Sequence, residues 1–270
     1  MDLRVSWLLM AAVSVSGAAP IPEEIVRKSV DAIQSDWAQA AQYSYLERDV
    51  ESKRRSSPAI KTYRVLIIDG TPYNLVTAVN DAPLSLDEKA AEQRKLEKEI
   101  ERRQKESDRE RQRRIAKYQK ETSRDREMLK EMASAFEYRL TGEAQVDGHA
   151  CWVLDASPRP GYEPGSREGR ILKGMKGQLW IDQASHQWVK VHAEVVKPVN
   201  LYGFLAKVGV GTEFDLEQAP VADGVWMPKA FRVQVRASAF GFFNENSTES
   251  ETYRDYQPMP QASALLQFTK

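Results

Sequence analysis

Apolar residues recur at three- and four-residue spacing from Pro22 to Ala41, with Ile25, Val26, Val30, Ile33 and Trp37 on one stripe. This is the pattern of a helix that covers something apolar. From Gln42 the period changes to two: Tyr43, Tyr45, Glu47 and Asp49 alternate with Ser44, Leu46, Arg48 and Val50, so the two sets leave opposite faces of a strand. Residues 60–68 and 73–79 read as two further strands. The Asp69-Gly70 between them signals a tight hairpin, because both central residues of such a turn need positive φ. The same dipeptide recurs at Asp147-Gly148, between 137–146 and 150–155, and at Asp223-Gly224, between 212–219 and Trp226 with the strand 230–239. Strands are also expected at 177–182, 188–196, 201–206 and 248–256. No strand–helix–strand alternation follows residue 137, so the pattern predicts an antiparallel meander rather than a parallel sheet. A sheet of that width must curl.

Residues 84–135 interrupt the strands with a long run that has no Gly and no Pro and is dominated by mixed charge. One helix of that length would extend about 75 Å. Ser85-x-x-Glu88 and Ser107-x-x-Glu110 are capping boxes, so the segment reads as two helices that break near Ser107. Between Ile100 and Ile115 no large apolar residue occurs, which predicts a stretch solvated on every side and projecting from the body. That gives either a soluble helical hairpin inserted into the sheet or a docking arm for a partner. Residues 156–169, rich in Pro and Gly, read as an exposed loop.

The N-terminal residues read as a signal peptide. Arg4 supplies the positive region and Trp7–Val15 a short apolar one, and Ser16-Gly17-Ala18 offers small residues for cleavage after Ala18. This predicts a signal peptide at 1–18, a single domain at 19–270 with the helical insertion at about 84–135, and a periplasmic location. No membrane-spanning segment is expected after cleavage. Lys plus Arg and Asp plus Glu both number 39, a balance that argues against nucleic acid as a partner. The one cysteine, Cys151, allows no internal disulfide and reads as a small buried hydrophobe.

The sequence carries no nucleophile elbow, phosphate-cradling loop, dinucleotide fingerprint or His-Glu-x-x-His pattern. His149, His186 and His192 read as surface or satisfied core residues. No enzyme activity, cofactor or metal is expected. The aromatic residues carry more information: a curved sheet lined with them forms an apolar concavity in which a helix or an acyl chain can lie. The tentative ligand-binding residues are Tyr202, Phe204, Phe240, Phe242, Phe243, Trp180, Trp226 and Trp37. The first five lie in Gly-punctuated apolar runs, 201–205 and 240–243, that break strict alternation and suit a cavity rim.

The succession Gly177-Gln178-Leu179-Trp180-Ile181-Asp182, Val189-Lys190-Val191 and Asp223-Gly224-Val225-Trp226-Met227-Pro228 resembles that of the LolA-like, outer-membrane lipoprotein-sorting superfamily, which includes LolA/LolB-type carriers and RseB-like sensors. The resemblance is specific over about 177–256. It implies an α+β fold, an unclosed antiparallel β-barrel covered by helices, whose concave face takes acyl chains. The expected function is binding a lipid, or the acyl chains of a lipidated protein, in an apolar cavity, with a possible role in lipoprotein sorting. The alternative is a non-catalytic envelope sensor or scaffold that docks a protein partner through the charged insert, an element by which the chain departs from the family.

Overall fold

The computed structural model describes residues 20–53, 56–166, 168–200, 206–221, 224–239 and 243–259. Helix α1 (Pro22–Gln39) leads into β1 (Tyr43–Lys53), β2 (Ala59–Ile68), β3 (Thr71–Val79) and the short β4 (Ala82–Pro83). The insert follows as α2 (Leu86–Gln104) and α3 (Asp108–Ala135). Then come β5 (Phe136–Val146), β6 (His149–Pro158), β7 (Met175–Asp182), β8 (Trp188–Val195), the short β9 (Val199–Asn200) and β10 (Ala206–Val208), β11 (Glu213–Pro220), β12 (Trp226–Ala239) and β13 (Phe243–Pro258). Asp69-Gly70 and Asp147-Gly148 hold positive φ at both positions, as their hairpins require. Asp223 lies outside the described residues, and Gly224 has φ +77°.

All strand pairs are antiparallel, and the order across the sheet is β4-β3-β2-β1-β13-β12-β11-β8-β7-β6-β5, with β10 beside β12 and β9 beside β10. The expected meander is therefore present but starts in the middle of the chain. It runs from β5 to β13, and β13 then pairs with β1, joining the two ends of the domain. The outer strands β4 and β5 do not pair with each other, so the sheet stays open. Bulges in five of the strand pairings, such as the one between Leu140 and Gly142, bend it. The α2–α3 insert is the connection between the two edges.

Cross-strand register assigns each helix to a face. Leu140, Leu154, Leu179, Val191 and Leu216 are successive cross-strand partners, and all pack with Ile25, Val26, Val30 and Ile33 of α1 and Leu129 of α3. That defines the concave face. Leu66, Ile68 and Leu75 leave the other face and pack with Leu96 of α2. The insert therefore straddles the β2–β3 hairpin, with α2 behind it and α3 in front.

This placement corrects the expectation that the stretch from Ile100 to Ile115 is solvated all round. Arg103 is only 4% exposed. Its guanidinium donates to Thr71 O at 3.0 Å and Thr71 Oγ1 at 2.9 Å, and also to Ile68 O. Arg114 donates to Asp69 O at 3.1 Å and Thr71 Oγ1 at 2.7 Å, and Ile115 lies against Gly70. Apolar counting missed this contact because the anchors are arginines, whose forked donors satisfy turn carbonyls. Ser85 and Ser107 each form the reciprocal capping box expected of them.

Candidate functional site

The concave face changes character along its cross-strand rows. One row reads Lys61, Asp49, Glu251, Phe231, Leu216, Val191, Leu179, Leu154, Leu140 across nine strands. Its neighbour reads Glu51, Glu249, Val233, Phe214, Ala193, Gly177, Ala156, Tyr138. Both are carboxylate on β1 and β13 and apolar from β12 onward, apart from Gly177.

The apolar end is held under α1. Asp36, in the last turn of the helix, is buried, and its Oδ2 accepts from the Trp226 backbone N–H and from Gln187 Nε2, each at 2.7 Å. Burial raises its carboxyl above the ordinary range, against the Trp226 hydrogen bond. Trp188 Nε1 donates to Ser29 Oγ at 3.1 Å. At the edge of the part that α1 covers, Val191, Ala193, Phe214 and Leu216, which pack against the α1 cluster, and Phe231 beside them are only half-buried, a strip of apolar floor incompletely covered.

The C-terminal half of α3 ties down the Pro/Gly loop. Glu131 Oε1 accepts from Tyr162 Oη and Gly165 N–H, each at 2.5 Å, and Oε2 accepts from Ser166 Oγ at 2.7 Å. Burial favours the neutral acid, but these donors outweigh it and hold the carboxyl below its ordinary range. A Cβ on Gly169 would come within 2.3 Å of Glu131 Oε2, so a larger residue there would have to displace the Glu131 carboxylate from its donors.

The acidic end is lined by Glu47, Asp49 and Glu251 among Tyr45, Tyr63 and Tyr253. Tyr45 stacks edge-on to Tyr253 at 5.9 Å and lies 5.1 Å from Tyr256. Tyr253 Oη donates to Glu251 Oε2. Burial, with Asp49 and Glu251 beside it, pushes the Glu47 carboxyl up to about 8, and Glu47 and Asp49 share a hydrogen bond. Tyr118 of α3 lies near enough to act on Tyr45. Alternation put Tyr45, Glu47 and Asp49 on one face. That this face turns inward follows from the β1–β13 pairing, which joins residues about two hundred positions apart and leaves no local signal.

Of the residues expected to line a cavity, Tyr202, Phe204, Phe240 and Phe242 lie outside the described residues. The backbone of Phe243 pairs with Ala239. Ala206 is also a backbone partner of Ala239. Trp37 packs against the α1 cluster on the concave side. Trp180 and Trp226 do not reach that face: they cluster with Cys151 and Val189, and Trp180 alternates with the inward Leu179 and Ile181. Lys190 Nζ sits 5.5 Å over the Trp180 ring.

Cys151 is buried and unpaired, its thiol pushed up to about 11 by burial and by Asp182. His149 faces Asp182 at 3.4 Å and His192 faces Asp215 at 2.7 Å, while His186 lies against Trp152. Each histidine thus has a different neighbour. Among the described residues no group of three or more His, Cys, Asp or Glu is arranged to hold a metal ion, and no helix is long and apolar enough to cross a membrane.

No family model matches the chain, and no curated protein matches it. Solved structures do. A LolA superfamily protein from Nitrosomonas europaea aligns with 92% of this chain and 98% of its own, at 10% identity and a TM-score of 0.36. A putative outer membrane lipoprotein-sorting protein domain from Vibrio parahaemolyticus aligns with 90% of this chain and 99% of its own, at 9% identity and a TM-score of 0.36. A DUF1329 family protein from Desulfovibrio piger aligns with 89% of this chain and 95% of its own, at 15% identity and a TM-score of 0.34.

Proposed function

We propose that this is a non-catalytic protein of the periplasm, exported by the signal peptide at 1–18, that binds a lipid or the acyl chains of a lipidated protein on the concave face of its sheet. One observation carries the reading: the half-covered apolar strip of Val191, Ala193, Phe214, Leu216 and Phe231, which continues the packed floor under α1. An acyl chain laid on it gains the contacts that α1 does not supply. Tyr202, Phe204, Phe240, Phe242 and Phe243 complete the mouth in this reading. Titration with fatty acids of increasing chain length tests it, with affinity rising as methylenes are added.

A second reading, an envelope scaffold that docks a protein through α2–α3, is favoured by the completeness of the packing beneath α1, where Val26 and Ile33 are each 1% exposed. In that case the same titration gives no binding.

A further inference from the structure

The balanced total charge conceals a local excess. From Glu101 to Lys120 the sequence has nine cationic and four anionic side chains. This segment is the elbow between α2 and α3, and a cleft of about 720 Å³ opens there, lined by Arg102, Lys105, Glu106, Glu110, Arg113, Arg114 and Lys117. Both acids in it are committed internally. Glu106 accepts from Arg102 and Arg114, each at 2.8 Å, and the Glu110 carboxylate accepts from Ser107 N–H at 2.9 Å and Ser107 Oγ at 2.7 Å. Lys105 is paired with Glu101. Arg113 and Lys117, one helical turn apart and exposed, form no ion pair among the described residues. Arg109 and Lys120 add exposed charge around the same turns, and Arg111 is paired with Asp108 at 3.8 Å. The elbow cannot fold back, because Arg103 and Arg114 fix it to the β2–β3 turn.

We propose that this elbow is a docking surface for the phosphate headgroups of an anionic lipid bilayer. The partner follows from charge and from what is missing. A protein interface draws its energy from a few buried aromatic or apolar anchors, and the elbow has none: the exposed large hydrophobic residues described are Ile21, Val79, Leu86 and Val210. Long cationic side chains spread over successive helical turns match a plane of negative charge rather than one shaped ligand. Docking of this kind places the protein against a membrane without inserting it. The inference goes beyond the acyl-binding reading and does not rest on it.

The test is sedimentation of the full chain with vesicles of phosphatidylcholine alone or mixed with phosphatidylglycerol, at low and high salt. Binding is expected only to the phosphatidylglycerol vesicles, weakening as screening rises. The triple variant Lys105→Glu, Arg113→Glu, Lys117→Glu should lose about two orders of magnitude of binding, and Arg113→Gln with Lys117→Gln a smaller part. All three sites are exposed, and circular dichroism checks that the fold is kept. Equal binding to both vesicle types, no binding to either, or unchanged binding by the folded variants overturns the proposal. Full displacement by inorganic phosphate also overturns it, since that makes the cleft a small-anion site. Fatty-acid titration of the same variants keeps the two ideas apart, because elbow substitutions should leave it unchanged.

Discussion

Glu251 on β13 lies directly across from Phe231 on β12, and at this step the concave face passes from carboxylate to hydrocarbon. The next row makes the same change between Glu249 and Val233. An amphiphile laid across the sheet would keep its chain on the β8–β12 side. Phe231→Glu should extend the acidic end across the boundary and weaken fatty-acid binding by at least about tenfold, measured by fluorescence titration, because a carboxylate there must be desolvated beneath the ligand.

Glu47 gives the fold a pH dependence of defined sign. Its folded-state carboxyl is pushed up to about 8 from an ordinary 4.5, so between those values the folded chain holds a proton that the unfolded chain has released. Its contribution is fully present below that window and declines as pH rises through it. Glu47→Gln should flatten this decline. Urea midpoints of the two proteins on either side of the window check it, and parallel pH profiles would contradict it.

The α1 clamp should be costly to break. Ile33 is 1% exposed in the main cluster, and Ile33→Ala should destabilise by about 2–5 kcal/mol. Asp36→Ala leaves the Trp226 N–H and the Gln187 amide without their acceptor, at about 1–3 kcal/mol for each buried group. Chemical denaturation measures both. A negligible loss in both would mean that α1 is only loosely docked, as a movable lid would be.

The insert should behave as a clasp. Leu96 is fully buried against Leu66, Ile68 and Leu75, so Leu96→Ala should cost about 2–5 kcal/mol. Arg103→Ala should cost at least about 1.5–3 kcal/mol through the turn carbonyls it serves. Replacing 95–120 with a Gly/Ser linker should raise amide exchange selectively in β2 and β3. An exchange pattern unchanged from wild type would restore the picture of a separable arm.

Much of this architecture was legible along the chain, because helices and hairpins are local. The stripe of α1, the Asp69-Gly70 and Asp147-Gly148 turns and the two Ser-x-x-Glu caps each lie within a few residues, and each forms as expected. The site was less legible. Which face of β1 turns inward depends on its pairing with β13, and Asp36 looks like an interruption of an apolar stripe until Trp226 arrives from the far end of the chain. Arg103 was hidden for a related reason, since a buried arginine among exposed ones has no distinguishing period. Trp180 and Trp226 were grouped with the cavity by residue type, whereas alternation against Leu179 and Ile181 sends Trp180 to the other side.

The most direct test of acyl binding is calorimetric titration with a series of saturated fatty acids at low and high ionic strength, for the wild type and for Phe214→Ser. Binding is expected to strengthen by about 0.8 kcal/mol per added methylene until the strip is filled, to change little with salt, and to weaken in the variant. No binding at any chain length by a folded wild-type protein would contradict the account.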